Sequence, residues 1–243
     1  MTARRQIFTV FLYAIGIVTL ITSCNSETET PDEAESKSTI SEGCIYFGMT
    51  YPYFDDDFMI KILPKTMTME FKDNVYKNTV SKGGLFTTSL ISDCNKKKVI
   101  MILDFSMKQI YCELDADQAK QMVDTLFIIP DLIPVQNTQN LLDFTCEKHT
   151  AVYSRLEDGY DCDIYTAENI KIENSNWCNQ YFELPNVMLG YEAAQYGLVT
   201  RFKADSIEAK SIDSKIFQVA PTFKKVSFEQ MMYEMEEIFK QFI

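Results

Sequence analysis

Histidine is nearly absent from this 243-residue sequence, in which His149 is the only one. The chain also lacks the Cys-x-x-Cys and His-x-x-x-His spacings that zinc sites use. We therefore expect no zinc centre and no cofactor. His149 lies in a polar, strand-like stretch, and we interpret it as a solvated surface imidazole. The alternative, a catalytic Cys/His pair, has no other motif in its favour.

Runs of basic residues are also missing. The chain has 23 Lys and Arg against 35 Asp and Glu, which gives a formal net charge of -12. This charge repels phosphate backbones, so we expect no nucleic-acid partner. No nucleophile, base and orienting group stand together in a motif, so a hydrolase is the weakest functional hypothesis, and we predict that the protein is not an enzyme.

Two short motifs that can bind ions or phosphates are incomplete. Asp55-Asp56-Asp57 lacks the spaced ligands, the turn glycine and the distal glutamate of a calcium loop. We interpret it as a solvated turn, with cation binding as the alternative. Gly83-Gly84 is not followed by Lys-Ser/Thr, so it indicates a turn and predicts no phosphate site.

The first residues follow the order of a signal peptide. Arg4 and Arg5 precede an apolar run at residues 7–21 that contains no acidic residue. The run is shorter than the roughly 20 apolar residues that a membrane-spanning helix needs. We therefore predict a signal peptide at residues 1–23, cleaved between Ser23 and Cys24.

The end of this run, Leu20-Ile21-Thr22-Ser23-Cys24, resembles the lipobox of bacterial lipoproteins. In such proteins the cysteine thiol accepts a diacylglyceryl group, because a thiolate is the effective nucleophile. We predict that lipid on Cys24 anchors the protein to the outer membrane of the cell envelope, on its periplasmic face or at the cell surface. The alternative is a secreted protein in which Cys24 forms a disulfide.

A polar segment follows the predicted cleavage site. Residues 24–42 are rich in Ser, Thr, Glu, Asp and Pro, and such a segment cannot bury enough apolar surface to offset the entropy of ordering it. We predict a disordered acidic tether there and one globular domain at residues 43–243. The acidic residues behind Cys24 resemble a surface-export signal of Bacteroidota lipoproteins, or they are solvating charge.

Six cysteines remain after Cys24, and an even number in an exported chain predicts at least one disulfide. Six cysteines allow fifteen complete pairings, and unpaired cysteine is also a common buried residue. A hairpin that turns at residues 105–108 places Cys112 opposite Met101. This register argues against a bond between Cys94 and Cys112.

Alternating apolar and polar residues predict many short antiparallel strands, for example at residues 67–72 and 98–104. Two helices interrupt this pattern. The first has Asp115 as its N-cap, and the second begins with a Ser227–Gln230 capping box. Strands with two amphipathic helices and no βαβ alternation predict an α+β fold.

The second helix has a long apolar stripe. One hypothesis is that the stripe packs on the sheet as plain core, and the other is that it forms a lid that opens to admit an apolar ligand. The candidate lid residues are Phe228, Met231, Met232, Met235 and Phe239.

Several segments of the folded part resemble a family of Bacteroidota envelope lipoproteins to which no activity is assigned. These segments are Leu63-Pro64-Lys65-Thr66-Met67-Thr68-Met69-Glu70-Phe71-Lys72, Gly159-Tyr160-Asp161-Cys162, Asn174-Ser175-Asn176-Trp177, Gln195-Tyr196-Gly197, Ile216-Phe217-Gln218-Val219-Ala220-Pro221 and Lys224-Lys225-Val226-Ser227. The sequence departs from the family at Met188-Leu189-Gly190-Tyr191-Glu192, where Leu-Glu-Tyr is more usual.

The resemblance implies a fold similar to lipoprotein carriers of the Lol type, in which a strongly curved antiparallel sheet, nearly a half-barrel, carries amphipathic helices on its concave face. It implies no catalytic residues. We therefore expect a non-enzymatic envelope lipoprotein that binds an apolar lipid or acyl ligand. The alternative is an interaction or scaffold protein that binds another protein through a face of the sheet.

Overall fold

The structure is a computed structural model that describes residues 39–54, 57–154, 160–195 and 198–240, except for the side chains of Asp57, Met59, Gln195 and Phe239. The predicted signal peptide, Ser23, Cys24 and most of the tether lie outside the described residues. Within them, no helix has the length and apolar character needed to cross a membrane.

Most of the described chain is β-strand. The strands are β1 (Glu42–Thr50), β2 (Thr66–Lys72), β3 (Val75–Lys82), β4 (Phe86–Asp93), β5 (Lys98–Phe105), β6 (Lys108–Leu114), β7 (Asp131–Leu141), β8 (Phe144–Val152), β9 (Asp161–Ala167), β10 (Val187–Gln195), β11 (Leu198–Ala209) and β12 (Lys224–Lys225). The described helices are α1 (Asp57–Ile62), α2 (Ala116–Leu126) and α3 (Phe228–Lys240), with a 3-10 turn at Ser214–Phe217.

All of these strands join one open sheet in the order β12-β6-β5-β4-β3-β2-β1-β11-β10-β9-β8-β7. Neighbours are antiparallel except for β12 and β6. Tight turns join several pairs of successive strands, including β2 and β3, β5 and β6, and β7 and β8. Asp73 and Asn74, between β2 and β3, both have positive φ angles, 51° and 64°, as a two-residue hairpin turn with right-handed strand twist requires.

The predicted α+β fold with helices across a concave face is wrong. Strands dominate the described chain, and α2 and α3 pack at one end of the sheet, against β5 and β6. The sequence pattern underestimated the sheet because it missed β7 and β10, and β7 is largely polar and exposed. Its side chains show no alternation of apolar and polar residues, so no strand was predicted there.

Two apolar clusters form the main core. The first is built mainly by β1, β2, β8 and β10, with single buried residues from β3, β9 and β11, together with residues 168–186, the segment between β9 and β10. The second joins β5 and β6 to α2 and α3, with Val99, Leu103 and Met231 fully buried. Ile40, near the start of the described chain, bonds through its backbone to Asn169 and Lys171 and so ties this end to the first cluster.

Candidate functional site

Helix α3 forms where the sequence predicts it. The Gln230 N–H donates to the Ser227 hydroxyl at 3.2 Å, which satisfies one of the free N–H groups at the helix start. Glu229 in the first turn and Lys240 in the last turn complement the helix dipole. The helix therefore presents its apolar stripe in a fixed register toward the sheet.

The candidate lid residues separate into distinct roles. Met231 is fully buried among residues of β5, β6 and α2. Phe228 and Met235 are half-buried and pack against the same cluster, whereas Met232 does not belong to it. The side chain of Phe239 lies outside the described residues. Met231 is therefore a core residue, whereas Met235 packs against the core and also borders a cavity.

That cavity has a volume of about 180 Å³ and lies between α3 and the sheet. Met235 and Ile238 of α3 form one wall, and Leu63 and Pro64, which precede β2, form another. The remaining walls are strand residues. We call this space the α3 cavity.

Three pairs of strand residues that face each other across neighbouring strands line the α3 cavity: Val80 with Thr88, Ala193 with Thr200, and Met49 with Phe202. Residues directly opposite in antiparallel strands share a sheet face, so each pair brings two side chains to the cavity. Leu103 of β5 lines it as well. Since β5 and β11 are separated by four strands in the sheet order, the sheet must bend around this space.

The lining of the α3 cavity is almost entirely apolar. Its polar side chains are Thr88, Thr200 and Tyr51, and no charged side chain lines it within the described chain. The Tyr51 hydroxyl donates to the Pro64 carbonyl oxygen at 2.6 Å, and burial raises the pKa of Tyr51 to about 12. The phenol is therefore neutral at physiological pH, and its hydrogen bond is already satisfied. Such a space favours an apolar occupant.

A second, polar pocket of about 440 Å³ lies beside β9, β10 and β11. Its buried carboxylate, Glu192, accepts a hydrogen bond from the Tyr160 hydroxyl and one from Arg201 Nε. Another carboxylate of the pocket, Asp163, pairs with Lys148 at 2.7 Å. The Glu192 and Asp163 charges are thus paired within the protein, and the remaining charged side chains of the lining, Asp161 and Lys203, have opposite signs and favour neither an anionic nor a cationic ligand. We therefore place the candidate site in the α3 cavity.

His149 differs from its prediction as a solvated imidazole, because its side chain is only 16% exposed. Its Nε2 lies 3.5 Å from the Thr166 hydroxyl and 3.7 Å from a Glu147 carboxylate oxygen. In the part of the chain that the structure describes, no three His, Cys, Asp or Glu side chains group as metal ligands.

All six cysteines of the described domain are buried and unpaired. Burial raises the pKa of Cys94, Cys112 and Cys146 to about 11, so these thiols stay protonated at neutral pH. Cys94 and Cys178 both contact the Ser92 hydroxyl, at 3.8 and 3.7 Å. These two cysteines therefore share a hydrogen-bonding neighbour.

The fold is similar to part of PNGF-II. In two crystal forms of that protein the superposition has a TM-score of 0.50, with 9% and 11% sequence identity, and covers 79% of this chain. The match covers 32% and 33% of the PNGF-II chain, so this protein spans about a third of its length. No family model and no curated protein matches the sequence. At this identity the likeness concerns the fold alone.

The apolar stripe of the second helix included Met235, but the sequence could not identify the opposite walls of the cavity. Val80 of β3 lies far in sequence from Ala193 and Thr200 of β10 and β11, and no local pattern relates them. Ile238 was recognisable as part of the stripe, yet it was not among the predicted lid residues. The resemblance to envelope lipoproteins stays a prediction.

Proposed function

We propose that the protein is a non-enzymatic, lipid-anchored envelope protein that binds a small apolar ligand in the α3 cavity. The observation that supports ligand binding is a space of about 180 Å³ with an apolar lining and no charged side chain among the described residues. Apolar cavities can take up apolar molecules of matching size. Met235, which the sequence suggested as a lid residue, forms part of its wall.

The size of the cavity limits the ligand. An engineered protein cavity of roughly 150 Å³ takes up benzene, so this slightly larger space suits a small ring or a chain of about six to eight carbons. Each methylene that enters contributes about 0.8 kcal/mol, until the space is full. A longer acyl chain requires α3 to move away from the sheet or the chain end to remain outside.

Methionine methyl groups provide a direct test. We expect titration of [¹³C-methyl]methionine-labelled protein with 1-octanol to shift the signals of Met49 and Met235, both of which line the cavity. Met107, which is 96% exposed, and Met188, which is buried in a different cluster, are internal controls. Equal shifts of all four methyl signals, or no shift of any of them, would contradict binding in the α3 cavity.

A matched pair of variants locates the ligand. Ala193→Leu adds volume inside the cavity, whereas its neighbour Ala194 is exposed and does not line that space. We expect Ala193→Leu to abolish octanol binding and Ala194→Leu to retain it. Equal affinities for the two variants would place the ligand elsewhere.

The membrane anchor is a separate part of the proposal, supported by the lipobox-like residues 20–24. We expect a fatty-acid probe to label the wild-type protein in cells of its own type, and Cys24→Ser to remove the label and release the protein from membranes. Two or more acyl chains are needed because one chain binds only marginally. Persistent labelling of Cys24→Ser would refute the anchor without affecting the ligand proposal.

A further inference from the structure

We infer that the ligand of the α3 cavity is an amphipathic carboxylate whose anionic end binds Lys82 at the rim. This inference rests on the proposed function and adds the ligand's headgroup and the residue that recognises it. Lys82 lies beside the cavity, its ammonium group has neutral partners, and no charged side chain lines the cavity within the described residues.

The strand register places Lys82 beside the cavity. Lys82 ends β3 and lies directly opposite Phe86, the first residue of β4, and Phe86 lines the cavity. Val80, two residues earlier, and its partner Thr88 also line it. Because residues two apart on a strand share a face, the half-buried Lys82 side chain lies on the cavity side of the sheet, at its edge.

The ammonium group of Lys82 is held by neutral partners. Nζ donates to the carbonyl oxygens of Lys61 and Leu63, at 2.6 and 2.8 Å. Leu63 itself lines the cavity, so these bonds fix the charge next to it. No carboxylate in the described residues forms an ion pair with Lys82. Several other lysines form ion pairs with carboxylates, namely Lys72, Lys98, Lys108, Lys148 and Lys225.

Within the described residues these contacts leave one N–H of Lys82 available, since an ammonium group has three donors and two are used. A carboxylate can accept that hydrogen bond and neutralise the charge. The same carboxylate inside the cavity would lose its hydration without gaining a charged partner. A ligand with an apolar chain and a carboxylate therefore binds in one orientation, with its chain inside and its anionic end at Lys82.

Lys82 also has a structural role that the test must separate from binding. Lys61 lies in the last turn of α1, and a cation near helix carbonyl oxygens stabilises a helix end. Lys82→Gln removes the charge but keeps N–H donors for both carbonyls. Lys77→Gln is the matched control, because Lys77 lies on the same strand at an odd position and so on the opposite face of the sheet.

The experiment compares octanoate with 1-octanol by calorimetry on the wild-type protein and both variants. We expect the wild type to bind octanoate more tightly than octanol. Lys82→Gln should weaken octanoate binding roughly tenfold or more, the usual effect of losing a charge-assisted hydrogen bond, and leave octanol binding unchanged. Lys77→Gln should change neither affinity.

The outcomes distinguish the two claims. If neither compound binds to the wild type, the proposed function fails. If both bind and Lys82→Gln affects neither, the cavity proposal stands and the carboxylate inference is overturned.

A second measurement uses the wild type alone, in case Lys82→Gln does not fold. The carboxyl pKa of bound [1-¹³C]octanoate should lie below that of free octanoate, because an adjacent ammonium favours the anion. A raised carboxyl pKa would place the headgroup inside the apolar cavity and overturn the inference.

Discussion

Arg201 and Glu192 face each other across β10 and β11, and Arg201 Nε donates to a Glu192 carboxylate oxygen at 2.6 Å. The Glu192 side chain is 7% exposed and that of Arg201 is 50% exposed. Tyr160 donates to the other carboxylate oxygen. Removing this carboxylate leaves two donors without their acceptor. We expect Glu192→Ala to lower the free energy of unfolding by about 1–3 kcal/mol, measured by urea denaturation.

An exposed ion pair provides the control for that experiment. Glu208 lies 3.0 Å from Lys210 with both side chains well exposed, and such pairs contribute little. Glu208→Ala should therefore change the unfolding midpoint far less than Glu192→Ala. Equal shifts of the unfolding midpoint in the two variants would mean that the burial of Glu192 does not determine the loss of stability.

Met231 anchors α3 to the sheet, and its side chain is fully buried among residues of β5, β6 and α2. Truncating a buried methionine to alanine costs about 2–5 kcal/mol, so Met231→Ala should lower the melting temperature by roughly 5 °C or more. The adjacent Met232 is only half-buried and lies outside that cluster. Met232→Ala is the control, and a similar loss in both variants would contradict the assigned packing of α3.

Local parts of the fold could be predicted because short-range rules govern them. The hairpin register that pairs Met101 with Cys112 is confirmed, and so is the N-cap of α2, where Asp115 and Gln118 form a capping box. Turn geometry and helix capping involve only a few neighbouring residues.

The extent of the sheet and the walls of the cavity could not be predicted in the same way. In β7 the polar residues of an exposed edge strand hide the alternation that identifies a half-buried strand. The α3 cavity depends on strand order, which brings Val80 and Ala193 to one space although 113 positions separate them. The helix stripe predicted either core packing or a lid, but the position of α3 over the cavity follows from pairing between distant strands.

Buried thiols should make the domain sensitive to alkali. Burial raises the pKa of Cys94, Cys112 and Cys146 from 9.0 to about 11. The folded state therefore holds these protons more tightly than the unfolded chain. This contribution to stability is fully present below pH 9 and is lost as the pH rises from 9 to 11.

Urea denaturation with a reductant present, at pH 7 and at steps between pH 9 and 11, measures this loss. We expect the unfolding midpoint to fall across that interval. A triple variant with alanine at Cys94, Cys112 and Cys146 should show a shallower pH dependence, although it is less stable throughout. An unchanged slope in the triple variant would show that these thiols do not control the transition.

The predicted disulfide remains a prediction, because the six cysteines of the described domain are unpaired. If one forms, Cys94 and Cys178 are the pair that we expect. Cys94 and Cys178 contact the same hydroxyl, that of Ser92, whereas Cys112 lies opposite Met101. During refolding with oxidised glutathione, the two thiols would lose two protons and two electrons, and the glutathione disulfide would be reduced to two thiols. We expect peptide mass mapping to find Cys94 bonded to Cys178. A different pair, or six free thiols in protein from its own envelope, would contradict this.

Charge placed on α3 tests whether this helix controls access to the cavity. Met235 lines the α3 cavity and Met232, on the same helix, does not. An aspartate at position 235 would put an unpaired carboxylate beside an apolar space, which disfavours both packing and an apolar occupant. We therefore expect Met235→Asp to weaken 1-octanol binding at least tenfold while Met232→Asp retains it, with circular dichroism to confirm that both variants fold. If both substitutions weaken binding equally, α3 acts only through its general packing. If neither does, the ligand does not reach the wall that Met235 forms.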